Sequence, residues 1–93
     1  MDADVLIVGA GPAGSGLATR LARAGLEVLL LDRSAFPRPK PCAEYLTPAT
    51  LAHLDALGVL DAVEPFGHPL EATTVVAPRG ASLTGRFAGA RPV

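Results

Sequence analysis

The chain has 93 residues, of which 49% are hydrophobic and 18% charged, the balance of a small globular domain and not of a disordered segment. A net charge of −1, with arginines scattered from Arg20 to Arg91, excludes the basic stripe of a nucleic-acid binder. The one cysteine, Cys42, excludes an internal disulfide and a multi-cysteine metal site, and it fits a reducing, cytoplasmic setting.

Met1-Asp2-Ala3-Asp4 places acids where a signal peptide needs positive charge. No run approaches the roughly 18–20 apolar residues of a membrane span. Val5 to Val8 is a short apolar run ended by glycine, the pattern of a central parallel strand. From Pro12 the period changes. Leu17, Leu21 and Ala24 fall at helical spacing, Arg20 and Arg23 fall toward the other face, and Gly25 supplies a stop. Glu27 to Asp32 is a second apolar run ending in a carboxylate, so residues 1–33 form a right-handed βαβ unit.

Between the first strand and the helix stands Gly9-Ala10-Gly11-Pro12-Ala13-Gly14. The first glycine permits a tight turn, the second lets backbone approach a pyrophosphate, and the third lets helix and strand pack closely. The free N–H groups and positive dipole end of the helix stabilise an anion there without a lysine. Asp32 follows Gly14 by 18 residues, at the end of the second strand, where a carboxylate accepts the hydroxyls of an adenosine ribose. Together these features predict a dinucleotide site. Arg33 would suit a 2′-phosphate, but the carboxylate beside it repels that group and disfavours NADP.

Pro37, Pro39 and Pro41 make residues 34–46 a loop. Thr47-Pro48 reads as an N-cap with proline at the first helical position, and Leu51, Leu54 and Leu57 continue at helical spacing up to Gly58, so 47–67 is a helix and its connection. In 68–93, Leu70 to Ala77 and Ala81 to Phe87 read as a hairpin around Pro78-Arg79-Gly80.

A nicotinamide-binding half normally continues with a further helix and a third parallel strand. Here a proline-studded loop, a helix and a hairpin follow instead. The stretch from Asp2 to Gly58, with its glycine loop and its Asp32-Arg33 ending, resembles the amino terminus of the FAD-dependent oxidoreductases that include geranylgeranyl reductases, aromatic-ring hydroxylases and flavin halogenases. The resemblance implies an α/β fold: the N-terminal βαβ of a Rossmann-like FAD-binding domain, followed by a loop, a helix and a β-hairpin, and incomplete as it stands. It implies that Gly9, Gly11, Pro12, Ala13 and Gly14 cradle the FAD pyrophosphate, that Asp32 and Arg33 meet the adenosine, and that the loop from Arg38 to Glu44 approaches the ribityl chain and flavin.

Within that loop Lys-Pro-Cys-Ala-Glu is similar to the Lys-Pro-Cys-Gly-Glu segment of the geranylgeranyl reductase-like branch, with Ala43 in place of the usual glycine. Cys42 reads either as a thiol or steric gate against the flavin, or as a small buried hydrophobe. Arg38 and Lys40 read either as contacts to phosphate or flavin oxygens, or as exposed loop cations. His53 reads as part of a solvated helix face and His68 as part of a turn. Tyr45 reads either as a ring stacked near the cofactor or, more in keeping with its place, as an aromatic packed under the loop.

The expected partners are a small-molecule substrate, NAD(P)H as a candidate reductant, and the remainder of the FAD and substrate domains. Two other readings stand: an NAD-dependent oxidoreductase fragment, or a short non-catalytic nucleotide-binding module that dimerises through its sheet edge.

Overall fold

The computed structural model describes residues 2–42, 44–89 and 91–93. Two compact units divide the chain, Met1–Pro41 and Cys42–Val93.

The first unit is built from β1 (Val5–Val8), α1 (Pro12–Arg23) and β2 (Val28–Leu31). β1 and β2 pair in parallel, with Val5 opposite Val28 and Val8 opposite Leu31. Pro12 opens α1 at a position where its missing N–H costs nothing. At the other end the Gly25 N–H donates to Ala22 O at 3.0 Å and the Leu26 N–H to Leu21 O at 3.2 Å. With Gly25 at φ +88°, these two bonds form a Schellman cap, which explains why the helix stops where glycine stands. Arg20 and Arg23 in the last turn favour the negative end of the helix dipole.

Side chains alternate across β1. Ile7, at 9% exposure, lies under α1, whereas Leu6 and Val8 face the other way at 57% and 80%. One face of this sheet is therefore covered by the helix and the opposite face presents bare aliphatic surface.

The second unit holds α2 (Pro48–Ala56), α3 (Leu60–Val63), a 3-10 turn (Glu64–Phe66), β3 (Ala72–Val76) and β4 (Ser82–Arg86). Thr47 caps α2 by accepting the Thr50 N–H at 3.2 Å, as its position before Pro48 predicts. Gly58, at φ +78°, closes α2 with a second Schellman cap: its N–H donates to Asp55 O and the Val59 N–H to Leu54 O. The next stretch, expected as a plain connection, instead forms α3 and the 3-10 turn.

β3 and β4 are antiparallel, with Ala72 opposite Arg86 and Val76 opposite Ser82. The regular strands are shorter than the apolar runs suggest. The ladder nevertheless extends at both ends, through Phe87 N–H to Glu71 O at 2.8 Å and Ala77 N–H to Ala81 O at 2.7 Å. Thr74 and Thr84 join hydroxyls across the pair at 2.7 Å. Leu46 and Val93 exchange two backbone hydrogen bonds, and the Leu70 N–H donates to Pro92 O. Among the described residues no helix is long and apolar enough to cross a membrane.

Candidate functional site

The site grows from the ends of the two parallel strands. Gly9 leaves β1 at φ +108°, a conformation that disfavours any side chain, and its N–H donates to Leu31 O at 2.7 Å. This bond carries the parallel ladder one step into the loop. The next residue, Ala10, donates its N–H to Asp32 Oδ2 at 2.9 Å, and its carbonyl accepts the Ser15 hydroxyl at 2.7 Å. Gly11 caps α1 in extended conformation, and its carbonyl accepts the Ser15 N–H at 2.9 Å.

Gly14 fits where no other residue would. A β-carbon added there would fall on the Gly9 carbonyl and come within 3.4 Å of Ile7 Cγ2. The third glycine is thus required by helix–strand contact, as the spacing predicts. Gly11 differs: a β-carbon there meets only Arg38 Nη2, at an ordinary 3.7 Å. Its openness leaves backbone accessible at the mouth of the helix.

Asp32 is half-buried, and its second oxygen, Oδ1, accepts the Ser34 N–H at 2.8 Å. The Ala10 and Ser34 N–H bonds, in that order, hold its carboxyl below the ordinary aspartate value, with Arg38 and Arg33 adding to the effect and partial burial opposing it. Asp32 is therefore a carboxylate at neutral pH. Each of its oxygens keeps acceptor capacity beyond its one backbone bond.

Three open clefts surround the loop. The first, about 450 Å³, is lined by Val8, Gly9, Gly11, Pro12, Ala13, Gly14 and Lys40. The second, about 440 Å³, joins Asp32, Arg33 and Ser34 to Val8, Gly9, Arg38, Pro39 and Pro41. The third, about 420 Å³, lies among Ala10, Gly11, Pro12, Ser15, Phe36, Pro37, Arg38 and Lys40. Arg38 thus borders the acid's cleft and the third one, and Lys40 borders the third and the glycine cleft. The Arg38 guanidinium stacks 5.3 Å from the Phe36 ring centroid, which holds the cation beside the loop.

The structure brings together Gly9, Gly11, Pro12, Ala13, Gly14, Asp32, Arg33, Arg38 and Lys40 in one neighbourhood of the first unit. Cys42 is exposed and opens the second unit, where its sulfur accepts the Glu44 N–H at 3.4 Å. Ala43 lies outside the described residues. Glu44 takes φ +57°, a left-handed conformation uncommon for a side-chain-bearing residue. Sequence reasoning passed over Ser15, Ser34 and Phe36. Ser15 carried one signal, a small hydroxyl directly after the third glycine.

These features fit an adenine dinucleotide. The open backbone at Gly11, the unmatched N–H groups of the first helical turn and the two loop cations suit a pyrophosphate, and an ionised Asp32 suits a ribose diol.

The sequence matches the FAD binding domain family over residues 2–89. It is 56% identical over 57 residues to a menaquinone reductase of Mycobacterium tuberculosis, covering 61% of this chain and 14% of that protein. Its fold is similar to a myxobacterial chondrochloren halogenase, one of the FAD-dependent halogenases, with TM-score 0.77 and 36% identity over 92% of this chain and 20% of that one. A flavoprotein/dehydrogenase from Cytophaga hutchinsonii superposes with TM-score 0.79 at 30% identity, covering 98% of this chain and 24% of that one. The chain thus spans less than a quarter of the length of each of these proteins.

Proposed function

This chain belongs to the FAD-binding domain family, and on that premise we propose that it is a cofactor-binding part of an FAD-dependent oxidoreductase acting on a small organic substrate. The observation that carries this reading is the bond from the Ala10 N–H to Asp32 Oδ2, which joins the phosphate loop and the ribose acceptor into one rigid corner. In that corner the backbone around Gly11, Ala13 and Gly14 faces the pyrophosphate, Arg38 and Lys40 add positive charge, and Asp32 accepts the ribose hydroxyls. With FAD held by that corner, its flavin would supply the electron or hydride transfer that side chains cannot.

Residues 1–33 serve as the dinucleotide unit and 34–46 as the loop beside the cofactor. Residues 47–67, a helix and its connection, and 68–93, the start of the hairpin region, continue the same FAD-binding domain. Alkene reduction of the geranylgeranyl reductase kind and aromatic hydroxylation are the two chemistries proposed, with NAD(P)H as reductant and the cytoplasm as setting. Similarity to Lys-Pro-Cys-Gly-Glu at residues 40–44 supports the first, and the likeness to a menaquinone reductase supports a reductase in general.

The test is reconstitution of the parent protein with FAD, followed by acid release and identification of the bound nucleotide. One FAD per chain is the expected result. A parent that stays colourless and binds NADH tightly overturns the reading in favour of a nicotinamide enzyme.

A further inference from the structure

The glycine loop has to present N–H groups to an anion, yet two of its first three residues are glycines that allow its peptides to turn over. In the structure the Gly9, Ala10 and Gly11 carbonyls are all directed onto the start of α1. The Gly9 oxygen lies against Gly14, the Ala10 oxygen accepts the Ser15 hydroxyl, and the Gly11 oxygen accepts the Ser15 N–H. Ser15 therefore accounts for two of the three. Helical serines commonly bond the carbonyl three or four residues back, as Thr19 does by donating to Ser15 O at 2.9 Å. Ser15 reaches five residues back, past the helix and into the loop.

We propose that Ser15 is a positioning residue for the pyrophosphate loop: its hydroxyl, working with the Asp32 carboxylate, clamps Ala10 so that the Gly11 N–H is aimed before the cofactor arrives. A trans peptide points its C=O and N–H in opposite directions. Holding the Ala10 carbonyl on Ser15 Oγ at 2.7 Å therefore fixes the Gly11 N–H to point away from α1. Asp32 does the corresponding work on the preceding peptide, holding the Ala10 N–H at 2.9 Å and so turning the Gly9 carbonyl toward Gly14. Without the hydroxyl the carbonyl of the peptide between Ala10 and Gly11 loses the side-chain bond that orients it. Orientations that aim a carbonyl at the phosphates then become more populated, and the ordering cost falls on the binding step.

This inference rests on the FAD reading, and its test separates the two. Apoprotein of the parent, Ser15→Ala and Ser15→Thr is titrated with FAD by flavin fluorescence, and residue-level hydrogen exchange is measured without FAD. Ser15→Ala is expected to weaken FAD binding about tenfold and to speed exchange at Ala10 by a similar factor, with β1 and β2 amides unchanged. Ser15→Thr, which keeps the hydroxyl, restores both. Wild-type apoprotein that ignores FAD defeats the FAD reading, while the exchange data still decide the clamp. Unchanged FAD affinity and unchanged loop exchange in Ser15→Ala overturn the clamp. Should Ser15→Ala not fold, the wild-type apoprotein decides alone, since a Ser15 χ1 that averages over its rotamers in three-bond NMR couplings overturns the clamp.

Discussion

Asp32 Oδ2 accepts the Ala10 N–H at 2.9 Å, so the acid that ends β2 is bonded directly to the loop that ends β1. One carboxylate thus has two duties, fixing the loop and receiving a ribose. Asp32→Asn keeps the shape but replaces one accepting oxygen with a donor. It is expected to weaken FAD binding by about tenfold, measured by fluorescence titration, and Asp32→Ala by more. Wild-type affinity in both variants would place the ribose elsewhere.

The same carboxylate sets a pH dependence. Its folded-state value is depressed by the Ala10 and Ser34 N–H groups. A depressed acid contributes fully above the ordinary aspartate value of about 3.9, and its contribution is lost as pH falls through the lower folded value. FAD retention is therefore expected to be flat from neutral pH down to about 5 and to fall only in stronger acid. Asp32→Asn removes this acid-dependent component. A loss of FAD centred near pH 6 in the wild type would assign the control to a group other than Asp32.

Gly11 and Gly14 separate cofactor binding from folding. At Gly14 a β-carbon collides with the Gly9 backbone, so Gly14→Ala is expected to cost about 1–3 kcal/mol or more in a denaturant melt. At Gly11 the β-carbon has room beside Arg38, so Gly11→Ala should melt close to wild type while losing FAD affinity. Gly11→Val should lose it entirely. Equal stability losses at the two positions would contradict this division.

Much of the first unit was legible because each boundary had a chemical mark. β1 runs from Val5 to Val8 as its apolar run indicates, α1 begins at Pro12, and Gly25 ends it through a cap only a residue tolerant of positive φ forms easily. The hairpin was legible from Thr73, Thr74, Val75 and Val76 against the Pro78-Arg79-Gly80 turn. The stretch from Val59 to Phe66 was not, because a four-residue helix and a 3-10 turn are too short to show a period and Pro65 argues against helix. Within the site, glycines and acid announce themselves by spacing. Ser15 does not, since a serine in a helix is usually a neutral surface residue and only its reach to Ala10 O gives it a task.

Arg38 is held by Phe36 at 5.3 Å, beside the loop and within the electrostatic reach of Asp32. Arg38→Ala is expected to reduce FAD affinity about three- to tenfold and to flatten its dependence on salt, read from titrations at low and high ionic strength. An unchanged salt dependence would leave Arg38 as a surface cation packed on an aromatic ring.

Cys42 stands exposed in the second unit, so Cys42→Ser is expected to leave FAD binding intact and to alter turnover only modestly. Complete loss of turnover with FAD still bound would make the thiol part of the chemistry.

The most direct measurement is a crystal structure of the parent protein with FAD bound. The pyrophosphate oxygens are expected about 3 Å from backbone N–H groups between Gly11 and Gly14, and the adenosine ribose hydroxyls at hydrogen-bond distance from Asp32. A pyrophosphate seated away from the start of α1, or a ribose that leaves Asp32 untouched, would contradict the assignment of this loop as the FAD site.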